Sequence, residues 1–514
     1  MASRVYGIDL GTTYSCISYV DESGRPVVLS NAEGEQTTPS VVCFENTDNI
    51  VVGSAAKNST EADATRVASF VKRYMGDSSY TFDADGKKYT PEEVSSLILR
   101  KLVQDAGAAT GETITDVVIT CPAYFGAPQR EATKNAGKLA GLNVKRIIDE
   151  PVAAAISYGF REKLSDEVAL VYDLGGGTFD VTVMRLEGGD INVVCTGGDH
   201  HLGGKDWDER IVNYLVEEFI KAEPGAGDPR DDPQFVAELL LKAEGHKRVL
   251  SSKDSIKAGM TYGSGRAQIE LTREKFEELT RDLTERTIEL TQNVLQEAAS
   301  KGVSKIDKLL LVGGSSRMPI IAQRVKETFS LEPQLFEPDL AVAKGAALMA
   351  ISIEVNEGKK FSFPTPKISA KIACSHALGV VVVTDEAGTS EEVVYLIHQN
   401  TSMPAEVVAT DFGTHRANQT TVDIRVMESN DAETPRVDGN HQILRGEIAN
   451  LPPNLPKGSP IHVTFGLRDD ATLHVRAIEP SSGRDLVMNV SIEGVLSDKE
   501  VEEKRRDLIR KNVS

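Results

Sequence analysis

Apolar and polar positions along the chain fall into two textures. Through the first 350 residues, short apolar runs alternate with longer segments of helical period. The run Tyr6-Gly7-Ile8-Asp9-Leu10-Gly11-Thr12-Thr13 reads as a strand closing on an aspartate and a glycine turn, followed by a second β-rich run over 15–20. Val171-Tyr172-Asp173-Leu174-Gly175-Gly176-Gly177-Thr178 repeats that pattern, with its return run over 179–184. Such a repeat predicts a duplicated α/β lobe with both turns facing one cleft. Helical period is predicted over 129–140, 151–158 and 273–299.

The second texture begins after about Ile353. Asn356-Glu357-Gly358-Lys359-Lys360, followed by Pro364 and Pro366, is a polar break that reads as a linker. Val422-Asp423-Ile424-Arg425-Val426 and Ile461-His462-Val463-Thr464-Phe465 alternate with period two, with turns at Asp469-Asp470 and Ser481-Ser482-Gly483. Short strands from about Ala377 to Ile492 predict a β-sandwich. A charged helix with an N-cap at Ser497 follows, too short to be a domain. The expected units are 1–355, a linker 356–376, a sandwich 377–495, and a residual helix 496–514.

Composition narrows the function classes. Of 514 residues, 40% are hydrophobic and 26% charged, as in ordinary globular proteins, and no apolar run is long enough to span a membrane. A net charge of −20 repels polyanions and argues against nucleic acid as a direct ligand. Five scattered cysteines, none in C-x-x-C spacing, suit a reduced, cytoplasmic protein without disulfides or a zinc site. The strand-like start leaves no room for a signal peptide, and the final Arg-Lys-Asn-Val-Ser carries no retention address.

The matched turns carry the chemistry. Phosphates need converging backbone N–H groups, which glycine permits by letting the chain approach closely. Asp9 and Asp173 at the strand ends can hold Mg²⁺ through its waters, one from each lobe. No Walker-type G-x-x-x-x-G-K-[ST] occurs. Leu309-Leu310-Leu311-Val312-Gly313-Gly314-Ser315-Ser316-Arg317 runs a strand into a glycine turn at a helix start, where a nucleotide can lie against backbone. Glu244, Lys247, Arg248 and Ser251 share one helix face, read alone as a solvated, ion-paired face or as a wall for a nucleoside. His200-His201 sits on a strand pattern whose neighbours point apart, which argues against a metal pair, and Trp207 reads as core.

Gly7 to Cys16, Ile148-Asp149-Glu150-Pro151-Val152-Ala153-Ala154-Ala155, the Asp173 to Asp180 segment and the Leu311 to Arg317 segment resemble signature stretches of the seventy-kilodalton heat-shock chaperones. The resemblance runs from Arg4 to about Ala350, and more loosely over Ala377 to Ile492. It implies a two-lobed, actin-like α/β ATPase domain followed by a β-sandwich substrate-binding domain, with the helical lid absent. It also implies ATP or ADP with Mg²⁺ as ligands, and K⁺ as a candidate further ion. Gly11, Thr12, Thr13, Tyr14, Gly175, Gly176, Gly177, Thr178, Gly203 and Gly204 would surround the phosphates. Lys72 would orient the attacking water, helped by Glu150, Thr178 and Asp180. Glu244, Lys247, Arg248, Ser251, Gly313, Gly314, Ser315, Arg317 and Asp339 would complete the nucleoside pocket.

The implied role is an ATP-dependent chaperone for unfolded or nascent polypeptide, served by a J-domain co-chaperone and a nucleotide-exchange factor. The alternative is a co-chaperone or scaffold of the ribosome-associated type. A small-molecule kinase shares the fold, but the appended β-sandwich argues against it. Departures from the family are a shorter stretch between Gly76 and Pro122, and His415 at a peptide-arch position, with Val422 and Phe412 near the groove. The linker stretch Lys367-Ile368-Ser369-Ala370-Lys371-Ile372-Ala373 lacks the family's leucines, which predicts poor docking on the ATPase lobes.

Overall fold

Two six-stranded sheets repeat one strand order, which is the duplication read from the turns. In the first, Asn143–Asp149, Asp116–Cys121 and Val5–Asp9 run parallel, then Tyr14–Val20 and Pro26–Val28 return antiparallel. In the second, Pro333–Leu335, Lys308–Val312 and Glu167–Leu174 run parallel, then Phe179–Glu187 and Asp190–Asp199 return. The computed structural model describes residues 4–162, 166–187, 189–363, 365–429, 435–468, 471–489 and 495–514. Pro364, the turn at Asp469-Asp470 and the sandwich's expected end at Ile492 lie outside the described residues.

Two helices, Glu150–Glu162 and Ala341–Asn356, join the lobes. The second is apolar on nearly every face, as a helix enclosed by other elements must be. It lies close because small residues meet: a Cβ on Gly345 would sit 1.7 Å from Ala153 O, and one on Gly7 would sit 2.1 Å from Ala347 N. The predicted helix over 129–140 is Ala127–Leu139, and that over 151–158 is Glu150–Glu162. The helix expected over 273–299 is two, Arg273–Leu279 and Arg281–Ser300, because Thr280 leaves helical dihedrals at φ −114° and ψ 12°.

The sandwich pairs Glu391–Ile397, Ala377–Val383, Val422–Ser429 and His441–Ile448 in one sheet. Ala405–Gly413, Pro460–Leu467, Leu473–Glu479 and Arg484–Asn489 form the other. Along Pro460–Leu467 every second residue is buried, as the alternating sequence requires.

The linker corrects the sequence reading: it docks. Ser369–Lys371 adds a parallel edge strand to the second lobe, Ser369 opposite Asp190 and Lys371 opposite Asn192. A ladder is made by backbone groups, so leucine is not needed. Ser369 and Lys371 stay exposed, while the neighbouring Ile372 is buried and Ile368 packs against the same core. The last helix, Asp498–Leu508, packs on the first lobe, whose core takes in Val501 and Leu508. The strand placement of His200 and His201 is corrected, whereas the loop that the resemblance implies before Gly203-Gly204 is present: both lie in the turn after Asp190–Asp199, with ring centroids 4.5 Å apart. No described cluster of His, Cys, Asp and Glu could hold a metal by itself, and Trp207 is fully buried. No described helix is long and apolar enough to cross a membrane.

Candidate nucleotide-binding site

The two repeated turns interlock at the floor of a cleft between the lobes. A Cβ on Gly176 would lie 2.2 Å from Thr13 Oγ1, and one on Gly177 would lie 2.3 Å from Thr12 Cγ2. The glycines of one lobe therefore leave room for the threonines of the other. Gly11 is held by a hydrogen bond from its N–H to Ser15 Oγ (3.1 Å), and its carbonyl accepts from Ser40 Oγ (2.7 Å). Gly175 N–H donates to Thr178 O (3.0 Å) and Gly204 N–H to Gly175 O (3.0 Å), so the Gly203-Gly204 pair backs the second turn. Gly313 takes a left-handed φ of 79° beneath Asp173, where any side chain would be strained.

Above this floor lies a cavity of about 540 Å³, the size of a small-molecule site. Asp9, Asp173, Lys72, Glu150 and Thr178 face it at one end. Tyr14, Glu244, Lys247, Arg248 and Ser251 line the other. Gly11, Thr12, Thr13, Gly175, Gly176 and Gly204 form the floor, and Gly313, Gly314, Ser315, Arg317 and Asp339 form a further wall. Of the nucleotide-site residues singled out from sequence, Gly177, Gly203 and Asp180 do not reach the cavity. The Asp180 carboxylate instead accepts the Tyr124 backbone N–H at 2.8 Å.

Electrostatics at the deep end are lopsided. Lys72 Nζ lies 2.5 Å from Glu150 Oε1, both nearly buried. Burial alone would lower the Lys72 pKa, but Glu150 and Asp9 outweigh it and hold it above its usual value. Burial and the Glu150 charge push Asp9 up to about 7 and Asp180 up to about 8, and raise Asp173 well above the carboxylate range. One ammonium thus faces several carboxylates. A hydrated Mg²⁺ fits that deficit: Asp9 and Asp173 are the residues that would hold its waters, and it would neutralise phosphate charge there.

At the opposite end the helical face on Pro233–Leu250 is not a solvated surface. Lys247 Nζ donates to Gly204 O (2.7 Å) and Asp208 (2.9 Å), fixing it below the floor. Glu244 accepts from Tyr14 OH (3.1 Å) and pairs with Lys57, so first-lobe residues are tied to a second-lobe helix across the mouth. Those cations offset the burial of Glu244 and lower its pKa. Arg248 stacks over the Tyr14 ring at 5.0 Å, and Arg317 pairs with Asp339. Sequence reasoning missed Lys57, Lys205 and Asp208. Lys57 sits on the short helix Ser54–Ser59 with no spacing to any motif, while Asp208 lies four residues beyond Gly204, a weak helical signal.

A family model described as Hsp70 protein matches residues 5–85 and 77–512. This chain belongs to the Hsp70 family. Hsp70 proteins are ATP-binding chaperones that generally take ATP or ADP with Mg²⁺ and engage unfolded polypeptide, J-domain proteins and nucleotide-exchange factors. The two matched stretches of this Hsp70 chain meet at 77–85, inside the segment that reads as shortened between Gly76 and Pro122. Its fold is that of the family, actin-like ATPase lobes with a β-sandwich.

Proposed function

We propose that this Hsp70 chain binds Mg·ATP between its lobes, hydrolyses it, and uses the cycle to assist protein folding in the cytoplasm. The observation that carries this is the single cavity end where Lys72, Glu150, Asp9, Asp173 and Thr178 converge above the interlocked glycine turns. Residues 1–355 form the ATPase unit, 356–376 the connection and 377–495 a peptide-binding unit. Water attacks the terminal phosphorus in line, Lys72 orients it, and Glu150 holds the lysine. Catalysis comes from position and charge neutralisation. Asp180 acts through the Tyr124 loop as a positioning residue.

Isothermal calorimetry on the full chain should show one Mg·ATP per chain; no heat at millimolar nucleotide would refute the binding reading. Lys72→Ala should keep ATP binding but lower single-turnover hydrolysis at least about tenfold, a barrier change of roughly 1.4 kcal/mol. Hydrolysis at the wild-type rate in that variant would remove Lys72 from the mechanism. A second reading is a ribosome-associated co-chaperone that holds ATP with little peptide cycling. Stimulation of turnover by an apolar peptide decides between them, since only the cycling chaperone requires it.

A further inference from the structure

Two buried polar groups of the first lobe reach partners in the final segment. Arg100, on the helix Pro91–Thr110, is 9% exposed, and its guanidinium donates to the carbonyls of Leu508 and Lys511. Those carbonyls lie at and beyond the end of Asp498–Leu508, where helical acceptors lack partners and favour a cation. Glu93, on the same first-lobe helix and 2% exposed, receives Lys504 Nζ at 2.8 Å. Without residues 495–514 the Arg100 guanidinium loses both of these acceptors and Glu93 loses its cation. Val501, Leu508 and Val513 also complete that lobe's core.

After the helix, Asn512–Val513 joins the sheet edge formed by Asn49–Val52, with Asn512 opposite Asn49 and Val513 opposite Ile50. Val52 N–H donates to Ser514 O at 2.8 Å, and Ser514 N–H to Ile50 O at 3.0 Å. Asn49–Val52 leads through Gly53 into the helix that carries Lys57, the residue paired with Glu244 across the cavity mouth. The added strand therefore buttresses the element that latches the mouth. The β-sandwich preceding this segment is bound to the second lobe, by the Ser369–Lys371 strand and by Asn400, whose side chain accepts Thr196 N–H at 2.9 Å, and it also meets the first lobe where Glu428 accepts Ala127 N–H. Opening the cleft must strain one attachment or the other.

We propose that residues 495–514 are an intramolecular clasp that pins the β-sandwich and the mouth of the cavity to the first lobe and so slows the release of bound nucleotide. The inference rests on the nucleotide reading of that cavity and adds how residence there is controlled. The clasp releases only when a two-residue strand and a capped helix leave the lobe together, so nucleotide exchange follows clasp opening.

The test uses the full chain with Asn49→Cys and Asn512→Cys, two exposed positions in register, in a protein whose own cysteines are all buried. Release of a fluorescent ADP analogue is followed during a chase with unlabelled ADP. Oxidation should slow release, reduction should restore it, and Val513→Asp alone should speed it by about tenfold. Equal release rates in the oxidised, reduced and Val513→Asp proteins would overturn the clasp. If the analogue does not bind even the reduced protein, the nucleotide reading fails instead. Hydrogen exchange over 41–68 in the nucleotide-free protein then decides the clasp: Val513→Asp should accelerate it, and unchanged protection overturns the proposal. Should Val513→Asp not fold, the oxidised and reduced forms of the one cysteine pair still give the answer.

Discussion

Lys72 and His200 illustrate how one side chain can depend on distant charges. Lys72 is one basic residue among many in sequence, and only the chain's return at Glu150 converts it into a buried ion pair. His200 lies near Tyr124, at a ring distance of 6.4 Å, and beside His201. Burial, then His201, lowers its pKa from the ordinary value to about 4. The unfolded chain takes up a proton at His200 below about pH 6.5 while the native protein does not until about pH 4. Stability is therefore whole above pH 6.5 and falls as the pH drops towards 4. His200→Gln should lose less stability than the wild type between pH 7 and pH 5, by up to about 2 kcal/mol. Equal acid sensitivity of the two melting temperatures would show that the other imidazoles and carboxylates dominate. Asp9, Asp173 and the glycine turns were legible because the motif occurs twice. Lys57 and Asp208 were not, since their partners are brought to them by other elements.

Among the elements, the paired helices Glu150–Glu162 and Ala341–Asn356 are the most sensitive to volume. Gly345 faces Ala153 with no room for a methyl group, and Glu150 stands in the first turn of the facing helix. Gly345→Ala should force the helices apart and cost about 1–3 kcal/mol, read as a lower midpoint in urea. It should also weaken catalysis, because Glu150 moves with its helix; an unchanged midpoint would mean the crossing adapts. The linker carries the opposite lesson. Its side chains predicted poor docking, yet backbone pairing seats Ser369–Lys371 on the second lobe. Side-chain chemistry judged the strand's exposed faces, whereas the open edge of Asp190–Asp199 supplied the attraction.

For the whole molecule, the described sandwich touches both lobes. Glu428 accepts Ala127 N–H at 3.0 Å at the start of a first-lobe helix, and Ser375 Oγ donates to Phe125 O at 3.1 Å. On the second lobe, Lys301 Nζ donates to Asn400 O at 2.8 Å. One core cluster runs from Val171 through Ile372 and Leu378 to Phe465. Calorimetric melting should accordingly show the sandwich and lobes unfolding together, and Mg·ATP at a hundred times its dissociation constant should stabilise that joint transition by about 2.7 kcal/mol. Two separate transitions, of which ATP moves only one, would mean that the contacts are too weak to couple the units.

What the sequence determined by itself was local and repeated: strand, aspartate, glycine turn, strand, twice over, then period-two strands beyond the linker. Those features depend on backbone freedom and side-chain alternation within a few residues, so they can be read without a partner. The tertiary structure alone decided that Thr12 and Thr13 meet the glycines of the other lobe, that Lys57 latches Glu244, and that Arg100 waits for the carbonyls of Leu508 and Lys511. Each of these joins residues far apart in the chain, and their energies come from burial and from pairing groups that water would otherwise satisfy. No local pattern records which distant group will arrive.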